Sequence, residues 1–265
     1  MKKIAIPIIF FNPPKNPIKI GNVKIISAKF EDISKEYIEA PIKCGPGGDM
    51  VELQKRRFGK DPLVKESVWA NIIIDRTDIH FTCYQSLFDL VTNHWNYEIN
   101  RNDKLRKPRL DYNYTWDPPS YNFNKIILKK IKNGLDLIEA KTNNGKKFQI
   151  ALQRWYSSYN REDYLDTVID CCSSLESLFS IENELRLRTS LLVYSILKEN
   201  KKVSAQKIYT MYEIRNKFVH GSKIPLVNKQ EALDLIKIVA NVLLEIIITK
   251  KIPDQNFDLI DSVLK

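Results

Sequence analysis

Residues 208–221 read Ile208-Tyr209-Thr210-Met211-Tyr212-Glu213-Ile214-Arg215-Asn216-Lys217-Phe218-Val219-His220-Gly221. The run continues a helical pattern that opens near Ser204 and stops at Gly221, a residue suited to the left-handed position after a helix. Asn216 and His220 stand four residues apart and therefore share a face. Arg215 is rotated from His220 by about 140° at 3.6 residues per turn. Its long side chain can still reach the same anion, above all across a seam between two copies. His220 falls at the helix C-terminus, where the dipole favours a cation. Imidazole is also the side chain that changes charge near neutral pH.

This trio matches the needs of RNA cleavage without a metal. A base takes the proton of the ribose 2′-OH, and the oxygen attacks the adjacent phosphorus in line. A cation stabilises the added negative charge, and an acid protonates the departing 5′-oxygen. A histidine serves as base or acid, and a guanidinium matches phosphate geometry and stays charged. DNA lacks the 2′-OH, so the chemistry is specific to RNA. With eleven Arg and three His in 265 residues, an Arg five positions before a His arises in about one such chain in eight. The surrounding pattern therefore decides what the trio means. A purely structural alternative has His220 capping its helix and Arg215 neutralising Glu176.

Working backward, the helical period sets in near residue 125. Helices are predicted over 125–140 and 147–159, then from Asn160 as N-cap with Glu162 and Asp163 in the first turn. That third helix carries the apolar stripe Leu165, Val168, Ile169, Cys172, Leu175 and Phe179. Glu176 lies on the same stripe, so its carboxylate must find a partner or a proton. A fourth helix over 184–197 contains the Arg186/Arg188 pair. Working forward, Asn228-Lys229-Gln230-Glu231 opens a sixth helix with a capping-box pattern and runs to about residue 249. A short last helix is predicted over 257–264.

Residues 1–100 read as strand-rich. Ile18-Lys19-Ile20, Gly21-Asn22 and Val23-Lys24-Ile25 form a hairpin signal. Residues 68–74 and 79–84, around Asp75-Arg76-Thr77-Asp78, suggest a second hairpin. The basic start and short apolar run of 4–11 imitate a signal peptide. Asn12-Pro13-Pro14-Lys15 follows without a small-residue cleavage pattern, so the run is read as a strand. The loop Cys44-Gly45-Pro46-Gly47-Gly48-Asp49, with Lys55-Arg56-Arg57 beyond it, lacks the Gly-Lys-Ser/Thr ending of a P-loop and reads as a turn. Residues 101–124 read as a connector in which Arg101, Lys104, Arg106, Lys107 and Arg109 alternate with Tyr112, Tyr114, Trp116, Tyr121 and Phe123. Basic residues interleaved with aromatics suit single-stranded RNA, and Arg101, Arg106, Lys107 and Arg109 are its candidate contacts. The alternative is an extended linker whose aromatics pack on the next domain.

The expected class is thus α+β, with a strand-rich region (1–100), a connector (101–124) and an all-helical domain (125–265). The formal charge of +10 attracts polyanions, although a lysine-heavy composition gives the same number. Cys44, Cys83, Cys171 and Cys172 form no C-x-x-C pair and fit reduced thiols in a cytoplasmic protein. His80, His94 and His220 lie far apart, which leaves a metal site without support. The most apolar stretch, 232–248, is broken by Asp234, Lys237, Asn241 and Glu245 and predicts a buried helix, with no membrane span.

Glu176-Ser177-Leu178-Phe179, Glu184-Leu185-Arg186-Leu187-Arg188, Ile208-Tyr209 and the segment 212–221 resemble, in this order, the Apea-type HEPN domain. That family shows a Leu-Glu-x-Leu helix, a Glu-Leu-rich next helix and an Arg-Asn-x-x-x-His-Gly ending. The resemblance covers about 150–250. It implies a helical bundle that forms a homodimer through the HEPN helices, so that paired Arg-x-x-x-x-His segments build one cleft. It implies a metal-independent endoribonuclease with no cofactor, often a prokaryotic antiphage or toxin–antitoxin effector. By motif match His220 is the general acid/base, Arg215 the phosphate clamp and Asn216 a polar orienting group, with Glu176 and Lys217 as support. The N-terminal region matches nothing and is the expected receiver of an activating ligand or protein.

Two rival readings follow. One is a non-catalytic HEPN module that binds RNA, a nucleotide or a partner protein; cleavage products ending in 2′,3′-cyclic phosphate in the presence of chelator exclude it. The other is an interaction protein whose connector binds nucleic acid non-specifically. There Arg215→Ala is silent, and neutralising Arg106, Lys107 and Arg109 is not.

Overall fold

A computed structural model of the chain describes residues 4–8, 14–29, 38–39, 68–74, 79–92, 123–161, 163–181, 184–222 and 226–253. The chain divides into two compact units. One comprises Met1–Phe81 and Asn113–Lys132, the other Thr82–Tyr112 and Asn133–Lys265.

The first unit contains a five-stranded sheet built from β1 (Ile4–Ile8), β2 (Ile18–Ile20), β3 (Val23–Lys29), β4 (Ile38–Glu39) and β5 (Val68–Ile74). Their order is β2-β3-β5-β1-β4, antiparallel except for the β1–β4 pair. The expected hairpin is present, and Gly21, at φ +56°, supplies the left-handed residue its two-residue turn needs. Register then aligns the apolar positions. Ile20, Val23 and Ile74 fall in one row, Ile25 and Ile72 in the next, and all five are buried. The intervening Lys19 and Lys24 are exposed, the alternation of a sheet with one covered face. Pro7 lies beyond the two positions that β4 pairs, so its missing N–H removes no bond on that side.

The expected second hairpin is not formed. β5 pairs with β1 and β3, and α1 (Phe81–Thr92) takes the place of the strand predicted over 79–84. Alternation over six residues misleads because the longer window is helical. Cys83, Leu87 and Leu90, and Tyr84, Phe88 and Val91, repeat at three and four residues and are buried.

The second unit is helical. α2 (Lys125–Ile138), whose residues from Asn133 onward belong here, is followed by α3 (Asn143–Tyr159), α4 (Tyr164–Phe179), α5 (Leu185–Ile196), α6 (Lys201–Val219) and α7 (Lys229–Thr249). α3 packs on α4, α5 on α6, and α7 lies against both α3 and α4. The apolar core includes Trp155, Phe148, Leu175, Phe179, Ile208, Tyr212, Ile236 and Val239. Polar side chains fasten helix to helix. Ser174 Oγ donates to the Ala151 carbonyl at 2.8 Å, Trp155 Nε1 to the Ile236 carbonyl at 3.4 Å, and Tyr212 to the Cys172 carbonyl at 3.2 Å.

Several boundaries move for identifiable reasons. Thr142 accepts from the Gly145 amide, so α3 begins four residues before the predicted 147. Asn160 closes α3, and Asp163 is the N-cap of α4, accepting from the Leu165 and Asp166 amides. α6 starts at Lys201 instead of Ser204. The Asn228/Glu231 capping box of α7 is present in both directions. Among the described residues no helix is long and apolar enough to cross a membrane. The predicted helix over 257–264, the loop 44–49 and the basic 55–57 lie outside the described residues. So does the connector, apart from Phe123 and Asn124.

Candidate functional site

α6 ends as the sequence requires. Gly221 is left-handed at φ +65°. Its amide donates to the Phe218 carbonyl at 3.0 Å, and the Ser222 amide donates to the Lys217 carbonyl at 2.9 Å. These are the two bonds of a Schellman closure. His220 is the C-cap, and its own amide donates to the Asn216 carbonyl at 3.1 Å. The main chain on both sides of the histidine is thereby fixed, while its side chain is exposed. Among the described residues the imidazole makes no hydrogen bond or ion pair.

Arg215 reaches across to α4. Its Nη2 donates to Glu176 Oε2 of α4 at 3.2 Å, and its Nη1 donates to the Asn216 side-chain oxygen at 3.3 Å. Nη2 also stands 3.2 Å from Oε1, but Oε1 has no well-aimed hydrogen bond among the described residues. Both partners are largely buried, at 22% and 23% side-chain exposure. Burial raises the Glu176 carboxyl above its ordinary 4.5, and the charge and hydrogen bond of Arg215 oppose that rise. The structure therefore contains the ion pair that the structural alternative demanded. It still leaves three of the five guanidinium donors of Arg215 without a partner among the described residues.

A shell surrounds the pair. Tyr212, one turn before Asn216, is fully buried and pins α6 to α4 through the Cys172 carbonyl. Burial pushes the Cys172 thiol well above its ordinary range and that of Cys171 up to about 12. Both side chains are fully buried in the core. Lys217 donates to Glu213 Oε1 at 2.8 Å. Arg186 of α5 lies with its guanidinium carbon 4.1 Å from the ring centre of Tyr209, and its Nη1 is 3.8 Å from Glu213 Oε2.

Tyr209, Glu213, Asn216 and His220 follow at four, three and four residues and so form one stripe along α6. Sequence reading singled out the two ends of the motif and the Arg186/Arg188 pair, but not Tyr209 or Glu213 as members of the same face. Their spacing was the available signal. Of the predicted site residues, the structure joins Arg215, Asn216 and Glu176, and places His220 and Lys217 in the same last turns. Arg188 pairs with Glu184 at 3.3 Å on the surface. Arg101, Arg106, Lys107 and Arg109 lie outside the described residues. Among the described residues no group of three or more His, Cys, Asp or Glu has the arrangement to hold a metal ion.

Comparison with protein-family models, with curated proteins and with solved structures returned no match to this chain.

Proposed function

We propose that the chain is a metal-independent endoribonuclease of the HEPN type. In particular, we assign it to the prokaryotic effectors that cut RNA in antiphage defence or abortive infection. The observation that carries the reading is the exposed His220, mounted on a closed helix end and sharing a face with Asn216, one residue from an arginine held by Glu176. In this reading two copies meet at the ends of α6. One imidazole takes the 2′-OH proton, the other protonates the leaving 5′-oxygen, and the free guanidinium edges hold the phosphorane. Glu176 holds Arg215 against α4. Phe218 and Val219, 41% and 55% exposed in the turn between Asn216 and His220, suit a face that a second copy covers. RNA is the partner. The N-terminal region would receive the activating ligand or protein, and a cytoplasmic location fits the reduced thiols.

One observation favours a second reading. Arg215 is already paired with a carboxylate, as in a module that binds RNA, a nucleotide or a protein without cutting. Incubating pure protein with total RNA in EDTA beside His220→Ala separates the two. The expected result is fragments with 2′,3′-cyclic phosphate ends from the wild type and none from the variant, with unchanged melting. Equal cutting by both sinks the nuclease assignment to this site.

A further inference from the structure

The stripe on α6 does not end with the motif. Counting back from His220, seven residues reach Glu213 and eleven reach Tyr209, about 10 and 16 Å along the axis at 1.5 Å per residue. At that far end Arg186 lies over the Tyr209 ring, 4.1 Å from its centre, and is 39% exposed. A guanidinium over an aromatic face is attracted by the ring and keeps its N–H donors for other partners. Arg186 makes no hydrogen bond among the described residues. Its nearest anion, Glu213, is at 3.8 Å, too far for a hydrogen bond. Lys217 holds Glu213 at 2.8 Å from the other side. The Lys217 hydrogen bond, ahead of any other influence, keeps the Glu213 carboxyl below the ordinary range. The only acid on the stripe thus sits between two cations. The guanidinium of Arg186 has a ring beneath it and a distant carboxylate already held by Lys217, which leaves its N–H donors for a phosphate to take by two parallel bonds.

We propose that Arg186, with Tyr209 as its platform, is a second phosphate-binding site, and that it holds the backbone of a single-stranded RNA along α6 some nucleotides from the bond at His220. The proposal rests on reading the end of α6 as an RNA site. It adds that substrate length matters, because short fragments fill the His220 end alone.

The test is binding, so that it survives a failure of catalysis. Full-length protein carrying His220→Ala is titrated with a twelve-residue oligouridylate by fluorescence anisotropy, and a three-residue oligouridylate is measured by competition. Adding Arg186→Gln is expected to weaken the twelve-mer about tenfold, to lower the salt slope by about one and to leave the trimer unchanged. Tyr209→Phe keeps the ring and is expected to bind as the parent does, whereas Tyr209→Leu follows Arg186→Gln. Equal affinities with and without Arg186, or parallel losses on both lengths with a lowered melting temperature, overturn the proposal. If the wild type cuts no RNA while the length-dependent loss persists, the nuclease reading falls and the phosphate site stands.

Discussion

Glu176 sits where an apolar side chain is the default, and Arg215, which faces it, offsets part of the cost of burying its charge. Glu176→Gln keeps the shape and removes the counter-ion. Expected are an undiminished melting temperature at pH 7, because the fold favours the neutral side chain, and a drop in RNA cleavage of about tenfold, since Arg215 then lacks its charged partner; thermal melts and initial rates check both. The sign of the pH effect follows from burial. The folded chain keeps the Glu176 proton to higher pH than the unfolded chain, whose carboxyl titrates near 4.5. Its contribution to stability is full below that value and declines as pH rises through the raised folded one. Comparing wild-type and Glu176→Gln melting temperatures between pH 4 and 7 should show this declining component only in the wild type. The requirement for a partner was legible in the sequence, because a carboxylate on a stripe of Ile169, Cys172 and Leu175 has few options. Arg215 was named for that role as the structural alternative, and the structure pairs it with Glu176; the sequence held nothing that excluded Arg186 or Arg188. Only the packing of α6 on α4 makes the choice.

Single helices were legible where their stripes were long and their caps chemical. Asn228 with Glu231, and Gly221 after His220, marked ends that the structure reproduces. Two of the failures are of one kind: a short window was read without its continuation. Residues 79–84 alternate, yet the chain through Val91 is a buried helix. The gap between the helices predicted over 125–140 and 147–159 contains Asn143-Asn144-Gly145, yet Thr142 caps a helix through it. Gly145 is needed there for space. A Cβ at this position would stand 2.2 Å from the Ala140 carbonyl oxygen and 3.1 Å from that of Leu137. Both are backbone atoms and cannot rotate away. Gly145→Ala is therefore expected to cost about 1–3 kcal/mol despite the better helix propensity of alanine. Circular dichroism melts measure it, and an unchanged or raised midpoint would contradict the crowding described.

At the scale of the molecule, the strand-rich start and helical remainder were legible from the change of period, but the division of the chain was not. α1 from Thr82 and α2 from Asn133 fall in the helical unit, because helices in contact share a core whatever their distance in sequence. The proposed cleft needs two chains, and that gives a concentration test. Cleavage per chain is expected to fall in step with the dimer fraction seen by sedimentation velocity as the protein is diluted. A constant rate per chain into the monomer range would place the whole active centre within one copy. The turn at Gly221 bears on how such a meeting surface can evolve. The main chain at His220 is closed through carbonyls and amides, so the side chains of the apolar pair ahead of it are not the groups that close the turn. A lineage is at liberty to redraw the edge that greets a new mate, residue by residue, while the imidazole's address stays the same.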